Sequence, residues 1–412
     1  MILINKQPTN LSWLWWWVII YNVIAFIGEF FNNIMIFKLL SAIAIAIVMF
    51  VLIKFISFNF SDRWEIRIVY LPLLLWVIIM FCFSGVTNLT TPFNYLYTYG
   101  ILPYSAMLLL LIPTKLLLQS FMPVIYKINA VYLLLFFIPL VFFNNEYKQF
   151  FFETFAIGSG IIYITNKYHS PKTCLIALLS LILAFLVATL TARRNLMLTF
   201  GMYILMGSIL LIVNGKIKSI EVKFISILCG FALLLGSIFF YLQESSGAFS
   251  QITGRATENT REEVFIAYAI DMANIKDLVL GRGVFGQYYC PGVEKDEFGI
   301  SNDYRGNIEC GYLQWILKGG VIYLVLYLSL FCIAIFRGLR SSNQLSKGCA
   351  LTLLVQLIDM ISFGLHAFNI KTFIIWMAVA ICLDHNMNKM NDNEIMNIIL
   401  KKKNKLLPWQ KN

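Results

Sequence analysis

Residues 312–336 read YLQWILKGGVIYLVLYLSLFCIAIF, a stretch with a single charged residue, Lys318. A helix needs about 20 mainly apolar residues to cross the hydrocarbon core of a bilayer, and this stretch exceeds that length. Charges and clusters of Pro, Gly and Asn separate eleven further stretches of similar character. They lie at residues 12–28, 34–53, 68–83, 93–112, 128–143, 149–165, 173–192, 196–213, 224–242, 349–366 and 372–383. The sequence therefore predicts an all-α polytopic membrane protein with about 12 transmembrane helices.

The composition of the whole chain also indicates a membrane protein. Its 412 residues are 59% hydrophobic and only 13% charged, and the mean hydropathy is +0.77. The charged fraction is about half of that expected for a soluble domain. The first apolar stretch opens with tryptophans in the manner of an interfacial aromatic belt, and no small-residue cleavage site follows it. We therefore expect a retained first helix rather than a removed signal peptide. The tryptophans are Trp13, Trp15, Trp16 and Trp17.

The 32 Lys and Arg residues, which give the chain a net charge of +11, are divided unequally between the two sides of this arrangement. Loops on one side, together with the C-terminal tail, carry 20 of them, whereas the short loops on the other side carry four. Because cytoplasmic loops carry the excess of Lys and Arg, both termini are expected in the cytoplasm. Residues 384–412 would then form a basic cytoplasmic tail, which suits anionic lipid headgroups better than nucleic acid.

One long hydrophilic region, residues 243–311, separates nine predicted helices in residues 1–242 from three in residues 312–383. It falls on the outer, periplasmic side and holds 11 of the 21 acidic residues. We expect the chemistry of the protein in this loop, since it is the one sizeable polar region of the sequence. Residues 258–276 within it have the pattern of an amphipathic helix.

A turn rich in glycine and a pair of tyrosines follow the amphipathic stretch. Gly281, Gly283 and Gly286 would let backbone amides approach an anion. The turn is not a dinucleotide fingerprint, because it lacks the preceding strand and the following helix of that motif. Tyr288 and Tyr289 either stack on sugar rings or anchor the loop at the membrane interface.

The cysteines and histidines leave two questions open and predict no metal site. Cys290 and Cys310 both lie in the outer loop, an oxidising compartment, where either a disulfide or two free thiols are possible. The three histidines do not combine with them into a ligand set. Asp359 lies two helical turns from His366 on the same face, which indicates either a proton relay or a polar residue that binds a neighbouring cation.

Two arginines occupy an unusual place at the outer end of the seventh predicted helix. Arg193 and Arg194 lie on the side where the charge rule disfavours them. A charge in such a position usually has a partner, which here is either a carboxylate of the long loop or an anionic ligand.

The order of these features, from the seventh helix to the tenth, resembles the O-antigen ligase and polymerase family of bacterial surface-polysaccharide assembly. Members carry an arginine at the end of one span and a long periplasmic loop with an Arg-x-x-x-aromatic motif. A Gly-x-Gly turn and a short motif that leads into a helix ended by glycine follow. Arg194 matches the first arginine, and Arg261 with Phe265 matches the second motif. The turn corresponds to residues 281–286, and residues 309–313, ECGYL, occupy the last motif.

The resemblance implies a glycosyltransferase C-like membrane fold. It also implies an enzyme that transfers a glycan from undecaprenyl diphosphate to a sugar hydroxyl without a metal or another cofactor. Arg194 and Arg261 would be catalytic, because guanidinium groups bind phosphate oxygens bidentately while the leaving group gains charge. Glu309 stands where the ligases have a histidine, and it would act as a base or hold the acceptor or an arginine in place. Its presence favours a polymerase over a ligase.

Further residues are expected to contact the substrate, and the implied partners follow from the same resemblance. The substrate contacts would be Arg193, Arg255, Arg282, Tyr288, Tyr289, Tyr312 and Lys318, the last of which either contacts the diphosphate or extends towards the headgroups. The partners would be an oligosaccharide linked to undecaprenyl diphosphate, membrane lipids, a chain-length regulator and a flippase, with no nucleic acid. The protein would lie in the bacterial inner membrane with its active face in the periplasm. Two alternatives stay open: an O-antigen ligase that transfers glycan to lipid A core, and a flippase for lipid-linked repeat units.

Overall fold

The structure is a computed structural model that describes residues 8–31, 35–57, 65–83, 102–136, 145–190, 194–213, 260–291, 303–362 and 367–400. It is about 85% helical, and seven of its helices are long and apolar enough to cross a membrane. The predicted class, an all-α multi-pass membrane protein, is confirmed. The number of about 12 spans stays a prediction.

The helices of the first half of the chain are α1 to α8, and α3 is preceded by a π-helical turn at Ile66–Tyr70. Their bounds are Pro8–Phe30 for α1, Met35–Phe55 for α2, Leu71–Phe83 for α3, Leu102–Ser105 for α4, Thr114–Leu135 for α5, Asn145–Ile164 for α6, Pro171–Leu190 for α7 and Arg194–Val213 for α8. Short 3-10 helices follow α4 at Ala106–Leu111 and α6 at Asn166–Tyr168.

The second half contains the outer loop, two long apolar helices, one shorter apolar helix and a helical tail. The bounds are Thr260–Asp271 for α9, Ile275–Leu280 for α10, Tyr288–Tyr289 for β1, Tyr304–Arg305 for β2, Gly311–Leu339 for α11, Gln344–Ser362 for α12, Ile370–Leu383 for α13, His385–Lys389 for α14 and Asp392–Leu400 for α15. The two strands form one antiparallel pair, in which Tyr288 lies opposite Arg305 and Tyr289 opposite Tyr304. This ladder is a small departure from the predicted all-α class.

Eleven of the predicted stretches have a helical counterpart among the described residues. The seven long apolar helices account for seven of them, and four shorter apolar helices of 10–17 residues account for the others. The shorter ones are Ile66–Cys82, Leu102–Leu111, Thr154–Ile164 and Ile370–Leu383. The remaining stretch, residues 224–242, lies outside the described residues.

The start of α5 differs from the sequence-based prediction. The fifth stretch was expected to begin at Ile128, because Lys127 looked like a loop residue, but α5 already begins at Thr114 and contains Pro123. Lys127 is exposed on the helix, with its Nζ 6.0 Å from the centroid of the Trp16 ring. A lysine on a flexible stem can reach an aromatic ring at the helix surface, so the charge does not end the helix.

Shared polar contacts hold the helices of the bundle together. The Asn129 side-chain oxygen on α5 accepts hydrogen bonds from Ser159 of α6 at 2.8 Å and from Ser180 of α7 at 2.7 Å. Tyr163 of α6 and Ser208 of α8 are joined at 2.9 Å. Because lipid offers no hydrogen-bond partners, such groups must be satisfied between helices, and the contacts set which helix faces meet.

One end of the bundle, called the tail end here, is closed by α14 and α15. Asp392 of α15 accepts hydrogen bonds from Lys167 and Tyr168, and Asp384 accepts one from Thr114. The charges that the sequence assigns to the inner side thus cluster at one end of the helices. The side of the membrane that this end faces stays a prediction.

The helix α11 is broken near its other end. Gly320 has φ 69° and ψ −176°, which are not helical values. The break divides α11 into residues 311–319 and residues 321–339, and the second segment has about the length that spans a bilayer. We call the end of the bundle at this break the loop end, because α10 packs against α11 there and Tyr268 of α9 donates to the Leu313 carbonyl.

Candidate functional site

The turn after α10 is joined to α11 at the break by backbone hydrogen bonds. The amide of Arg282 donates to the Leu317 carbonyl at 2.8 Å, and the amide of Gly283 donates to the Lys318 carbonyl at 2.9 Å. Gly320 leaves the helical conformation just after these carbonyls. The loop therefore supplies donors at the place where the helical hydrogen-bond pattern is disturbed.

Two glycines make this close approach possible. Gly281 has φ 72° and Gly320 has φ 69°, a region that residues with a Cβ rarely adopt. A Cβ added to Gly281 would lie 2.5 Å from the Gly320 nitrogen, and one added to Gly320 would lie 2.0 Å from the Val279 oxygen. The two backbones thus touch where neither has a side chain.

The glycine turn does not offer its amides to an anion in this structure. The amide of Gly281 donates to the Asp277 carbonyl at 2.8 Å, and that of Gly286 donates to the Gly283 carbonyl at 2.9 Å. With the amides of Arg282 and Gly283 bonded to α11, the turn is used for close packing of two backbones. The sequence pattern predicted that these amides approach an anion, but in this structure they are bonded to carbonyls of α11 and of the loop itself.

Arg282 is the residue that binds the outer loop together. Its guanidinium donates from Nε and Nη2 to Asp277 at 2.9 and 2.8 Å, and from Nη1 to the side chain of Asp271. The Asp271 carbonyl and the Gln287 carbonyl accept the other two donors, each at 2.8 Å. All five N–H groups of the guanidinium are thus engaged.

The electrostatics of Arg282 follow from these contacts. Burial by itself lowers the pKa of Arg282, but the hydrogen bonds that Arg282 donates to the Asp271 and Asp277 carboxylates outweigh it and raise the pKa. The side chain joins α9, α10 and the residue before β1. The structure therefore gives it a holding position in the loop, and direct contact with a substrate stays a prediction.

Lys318 is a buried cation at the loop end of the bundle. Its side chain is 3% exposed, and Nζ donates to the Gly286 carbonyl at 2.8 Å. It does not extend towards the headgroups, which was one of the two expectations. The indole of Trp76 on α3 donates to the next carbonyl, that of Gly319, at 2.8 Å, so the peptide beside Lys318 is fixed as well.

The depth of Lys318 can be estimated along α11. At 1.5 Å per residue, the break at Gly320 lies about 25 Å from Arg337 at the tail end of the helix. Arg337 forms an ion pair with the buried Glu65 at 2.7 Å. With Arg337 placed at one boundary of a hydrocarbon core about 30 Å thick, Lys318 would lie close to the other.

The two adjacent tyrosines have different surroundings. Tyr288 is fully buried, with its ring in an edge contact 5.3 Å from that of Tyr268. Tyr289 is 44% exposed, and its ring lies 5.5 Å from that of Tyr304, which is also exposed. Of the pair, Tyr289 is the one whose ring a ligand can reach.

An open groove of about 590 Å³ runs between α9 and β1. Its lining is mainly apolar, with two carboxylates and one aromatic ring, as is common for ligand sites. The lining includes Glu263, Ile266, Ala267, Ile270, Asp271 and Tyr289. Asp271 also accepts a hydrogen bond from the Tyr289 amide at 3.1 Å, so one carboxylate connects the groove to the Arg282 cluster.

The start of α11 holds the remaining described site residues. Glu309 is exposed just before the helix, and Tyr312 donates from its hydroxyl to the Leu357 carbonyl at 2.6 Å. The structure therefore leaves the Glu309 side chain accessible and uses the Tyr312 hydroxyl to join α11 to α12.

The proposed catalytic arginines are described only in part. Arg194 is the first residue of α8, and Arg261 is the second residue of α9. Their side chains lie outside the described residues, as do Arg193 and Arg255 altogether. The roles of these four residues stay predictions.

A buried ion pair contacts α8 at Thr199, five residues after Arg194. Lys371 on α13 forms an ion pair with Asp359 on α12 at 2.7 Å, and Thr199 on α8 donates to Asp359 at 3.1 Å. Asp359 thus binds a neighbouring cation, in line with the second of its two interpretations, whereas His366 lies outside the described residues. Lys371, expected in an outer loop, is instead buried within α13.

The structure describes the two cysteines of the outer loop and the surroundings of the described His, Cys, Asp and Glu residues. Cys290 and Cys310 are both free thiols in this structure. Among the residues that the structure describes, no group of three or more His, Cys, Asp or Glu residues could hold a metal ion.

Three residues that the sequence did not single out organise the site. Gln314 accepts a hydrogen bond from the Ile308 amide at 2.9 Å and donates to the Gly306 carbonyl at 3.2 Å. Asp271 and Asp277 hold Arg282, as described above. No local pattern distinguishes these acids from the others of the loop, although an arginine after an acidic helix could have suggested such a pairing.

Comparisons with protein-family models, with curated proteins and with solved structures gave no match for this chain.

Proposed function

We propose that this protein is a membrane glycosyltransferase that polymerises oligosaccharide repeat units linked to undecaprenyl diphosphate. The reaction takes place on the outer face of a bacterial inner membrane. The observation that carries the proposal is Lys318, which is buried at the loop end of the bundle, about 28 Å along α11 from Arg337. A hydrocarbon core about 30 Å thick that begins at Arg337 would end near this residue. The diphosphate of a lipid-linked glycan lies at this depth, because its polyprenyl chain is held among the acyl chains.

The donor side of the reaction needs cations that stay in place. The diphosphate gains charge as its bond to the anomeric carbon breaks, and groups fixed away from water stabilise that charge better than mobile ones do. Lys318 reaches a phosphate oxygen by exchanging the Gly286 carbonyl for it. Arg194 and Arg261 bind further phosphate oxygens in this proposal, since each guanidinium offers a bidentate contact.

The acceptor side is assigned to the groove between α9 and β1. The exposed ring of Tyr289 offers an apolar face for the C–H side of a sugar ring, and the Glu263 and Asp271 carboxylates accept hydrogen bonds from sugar hydroxyls. Contacts through Asp271 and Arg282 connect this groove to the turn that covers Lys318. A donor diphosphate and an acceptor glycan would therefore bind on the same side of the protein.

The chemical step moves one bond. The acceptor hydroxyl oxygen bonds to the anomeric carbon of the donor, and the bond from that carbon to the diphosphate oxygen breaks. The diphosphate leaves with the electron pair, and the hydroxyl proton passes to Glu309 or to water. Glu309 is exposed before α11, where a glycan in the groove can approach it.

The test is synthesis of polymer by purified protein in liposomes supplied with lipid-linked repeat units. A ladder of longer glycans is expected from the wild-type protein, and Arg194→Ala and Arg261→Ala should abolish it. Lys276→Ala is the matched control, because Lys276 is an exposed cation of the same loop. A flippase would make no longer glycan, and a ligase would transfer glycan to lipid A core without elongation, so either result refutes the proposal.

A further inference from the structure

The short helix α10 exposes three large aliphatic side chains. Ile275 is 77% exposed, Leu278 is 40% exposed and Val279 is 37% exposed. Their spacing of three and four residues places them on one side of the helix, and we call them the α10 aliphatic face. Neighbouring exposed aliphatics on a water-facing helix are unfavourable, since apolar area is stabilised by removal from water.

The position of this face along the membrane normal can be estimated from two helices. The Val279 carbonyl lies against Gly320, which is about 25 Å from Arg337 along α11. On α3, the Met80 carbonyl accepts a hydrogen bond from the Val284 amide at 3.4 Å, and Met80 is about 22 Å from Glu65. With the ion pair of Glu65 and Arg337 placed at the opposite boundary of a hydrocarbon core about 30 Å thick, both distances put the end of α10 within about 10 Å of the loop-side boundary, on its apolar side.

The α10 aliphatic face also continues the lipid-facing rows of the neighbouring spans. Directly after Gly320, Val321 and Val325 are exposed on α11. On α3, Leu75 and Ile78 are exposed in the same manner, and Phe81 follows towards the loop end. Exposed apolar side chains of a spanning helix contact acyl chains. The α10 aliphatic face adjoins these rows at Val279, so we expect it to contact acyl chains as well.

The polar side of α10 is turned to the protein. Asp277 accepts two hydrogen bonds from Arg282, and the Asn274 side chain caps the start of the helix by accepting from the Lys276 amide at 3.0 Å. Lys276 itself is exposed, as suits a cation near lipid headgroups. The helix thus has one face bonded to the loop and one apolar face that is partly exposed, most strongly at Ile275.

We infer that α10 lies in the interface of the bilayer on the loop side, with Ile275, Leu278 and Val279 among the acyl chains. The partner of this face is bilayer lipid, in the way that interfacial amphipathic helices bind membranes. The inference stands on depth and exposure, and it does not depend on the proposed reaction. It implies that the outer loop is anchored to the membrane at a point beside the helix break.

Photocrosslinking in nanodiscs of phosphatidylethanolamine and phosphatidylglycerol tests this inference. Benzoylphenylalanine replaces one residue at a time in the full chain, and adducts are identified by mass after irradiation. Leu278 and Ile275 are the test positions. Leu75, 58% exposed in the middle of α3, is the lipid-facing reference.

Ile266 on α9 provides the opposite reference. It is 52% exposed, similar to Leu75, but Tyr268 nearby donates to the Leu313 carbonyl, which is about 10 Å beyond Gly320 along α11. We expect phospholipid adducts at Leu278 and Ile275 in yields comparable to Leu75, and none at Ile266.

Three results would overturn the inference. The first is the lack of phospholipid adducts at both α10 positions while Leu75 yields them. The second is a protein–protein adduct at these positions, which would mean that a second copy or another protein covers the face. The third is an equal yield at Ile266, because depth would then not distinguish α10 from the rest of the loop. The elution profile of each variant shows whether it is folded, and the use of two test positions guards against failure of one.

Discussion

Lys318 donates from its ammonium group to the carbonyl of Gly286 at 2.8 Å, and so a buried cation in a membrane helix is bonded to the turn that covers it. Its side chain is almost inaccessible, although the stretch in which it lies is otherwise apolar. A charge in such a place is unfavourable for folding, which makes a part in function the natural reason for its presence.

Replacement of Lys318 by Met should separate stability from activity. Removing a buried cation relieves the cost of keeping it away from water, so the melting temperature in detergent should stay the same or rise. Polymer formation should fall by about 100-fold, the loss expected when one fixed electrostatic group is removed from a transition state. Lys276→Met is the control and should retain activity. Wild-type polymer yields from Lys318→Met would show that this cation does not act on the substrate.

Replacement of Gly320 by Ala should destabilise the loop end of the bundle. A Cβ there would lie 2.0 Å from the Val279 oxygen, and the backbone region at φ 69° and ψ −176°, which is essentially limited to glycine, costs alanine about 1–3 kcal/mol. We expect a loss of at least about 2 kcal/mol, measured as a lower melting temperature, or faster proteolysis in the loop. Gly201→Ala is the matched control, since its nearest neighbour would be 3.4 Å away. Equal melting temperatures for both variants would contradict the close contact.

Replacement of Arg282 by Lys should loosen the outer loop without unfolding the bundle. A lysine keeps the charge but offers three donors on one nitrogen, so at least two of the five hydrogen bonds of the Arg282 guanidinium are lost. Amide hydrogen exchange in α10 and in the turn after it should become faster, because the free energy of local opening should fall by about 1–3 kcal/mol. Exchange in α12 serves as the internal reference and should not change. If the loop exchanges at the wild-type rate, the Arg282 contacts do not hold it.

The ion pair between Asp359 and Lys371 should show strong coupling in a double-mutant cycle. Either Asp359→Asn or Lys371→Met alone leaves a buried charge without its partner, at a cost of about 3–5 kcal/mol. The double variant should lose less unfolding free energy than the sum of the two single losses. Denaturant unfolding of the protein in detergent measures these losses. Additive effects would mean that the two charges do not interact energetically.

The attachment of α15 should weaken in acid. Burial raises the pKa of Asp392, but hydrogen bonds from Lys167 and Tyr168 outweigh this effect and lower the pKa below its usual value near 3.8. A carboxylate with a lowered pKa stabilises the folded state above the ordinary pKa, and this contribution is lost as the pH falls through the lowered one. Protease protection of α15 should therefore persist at neutral pH and decline only below about pH 4. Asp392→Asn should be less protected at neutral pH and should lack this decline.

The class of the fold could be predicted from the sequence because the hydrocarbon core of a bilayer offers the backbone no hydrogen-bond partners. Apolar stretches of membrane length admit few structures other than helices, and eleven of the predicted stretches have helical counterparts. The start of α5 could not be found in this way, because a lysine beside an aromatic ring is compatible with a helix in the membrane. The rule that charges end spans fails where a side chain can extend to an interface.

The candidate site was predictable in its ingredients but not in its arrangement. The glycine turn, Arg282 and Lys318 were all recognised from the sequence, yet nothing in it shows that the turn and α11 touch. That contact depends on a backbone conformation at Gly320 which a Gly-Gly pair in an apolar stretch permits but does not require. The sequence also could not show which of Tyr288 and Tyr289 is buried. Successive side chains of a strand point to opposite faces, but which face is covered depends on the elements that pack against the strand.

The break in α11 also sets how this protein matches bilayer thickness. An unbroken helix of 29 residues would be about 43 Å long and would need a steep tilt in an ordinary bilayer. With the break, the hydrophobic length is about 28 Å, and the excess residues belong to the outer loop. The span can therefore stand nearly upright in an ordinary bilayer. A single glycine conformation thus shortens the hydrophobic length of α11 to that of an ordinary bilayer and leaves residues 311–319 to pack with the outer loop.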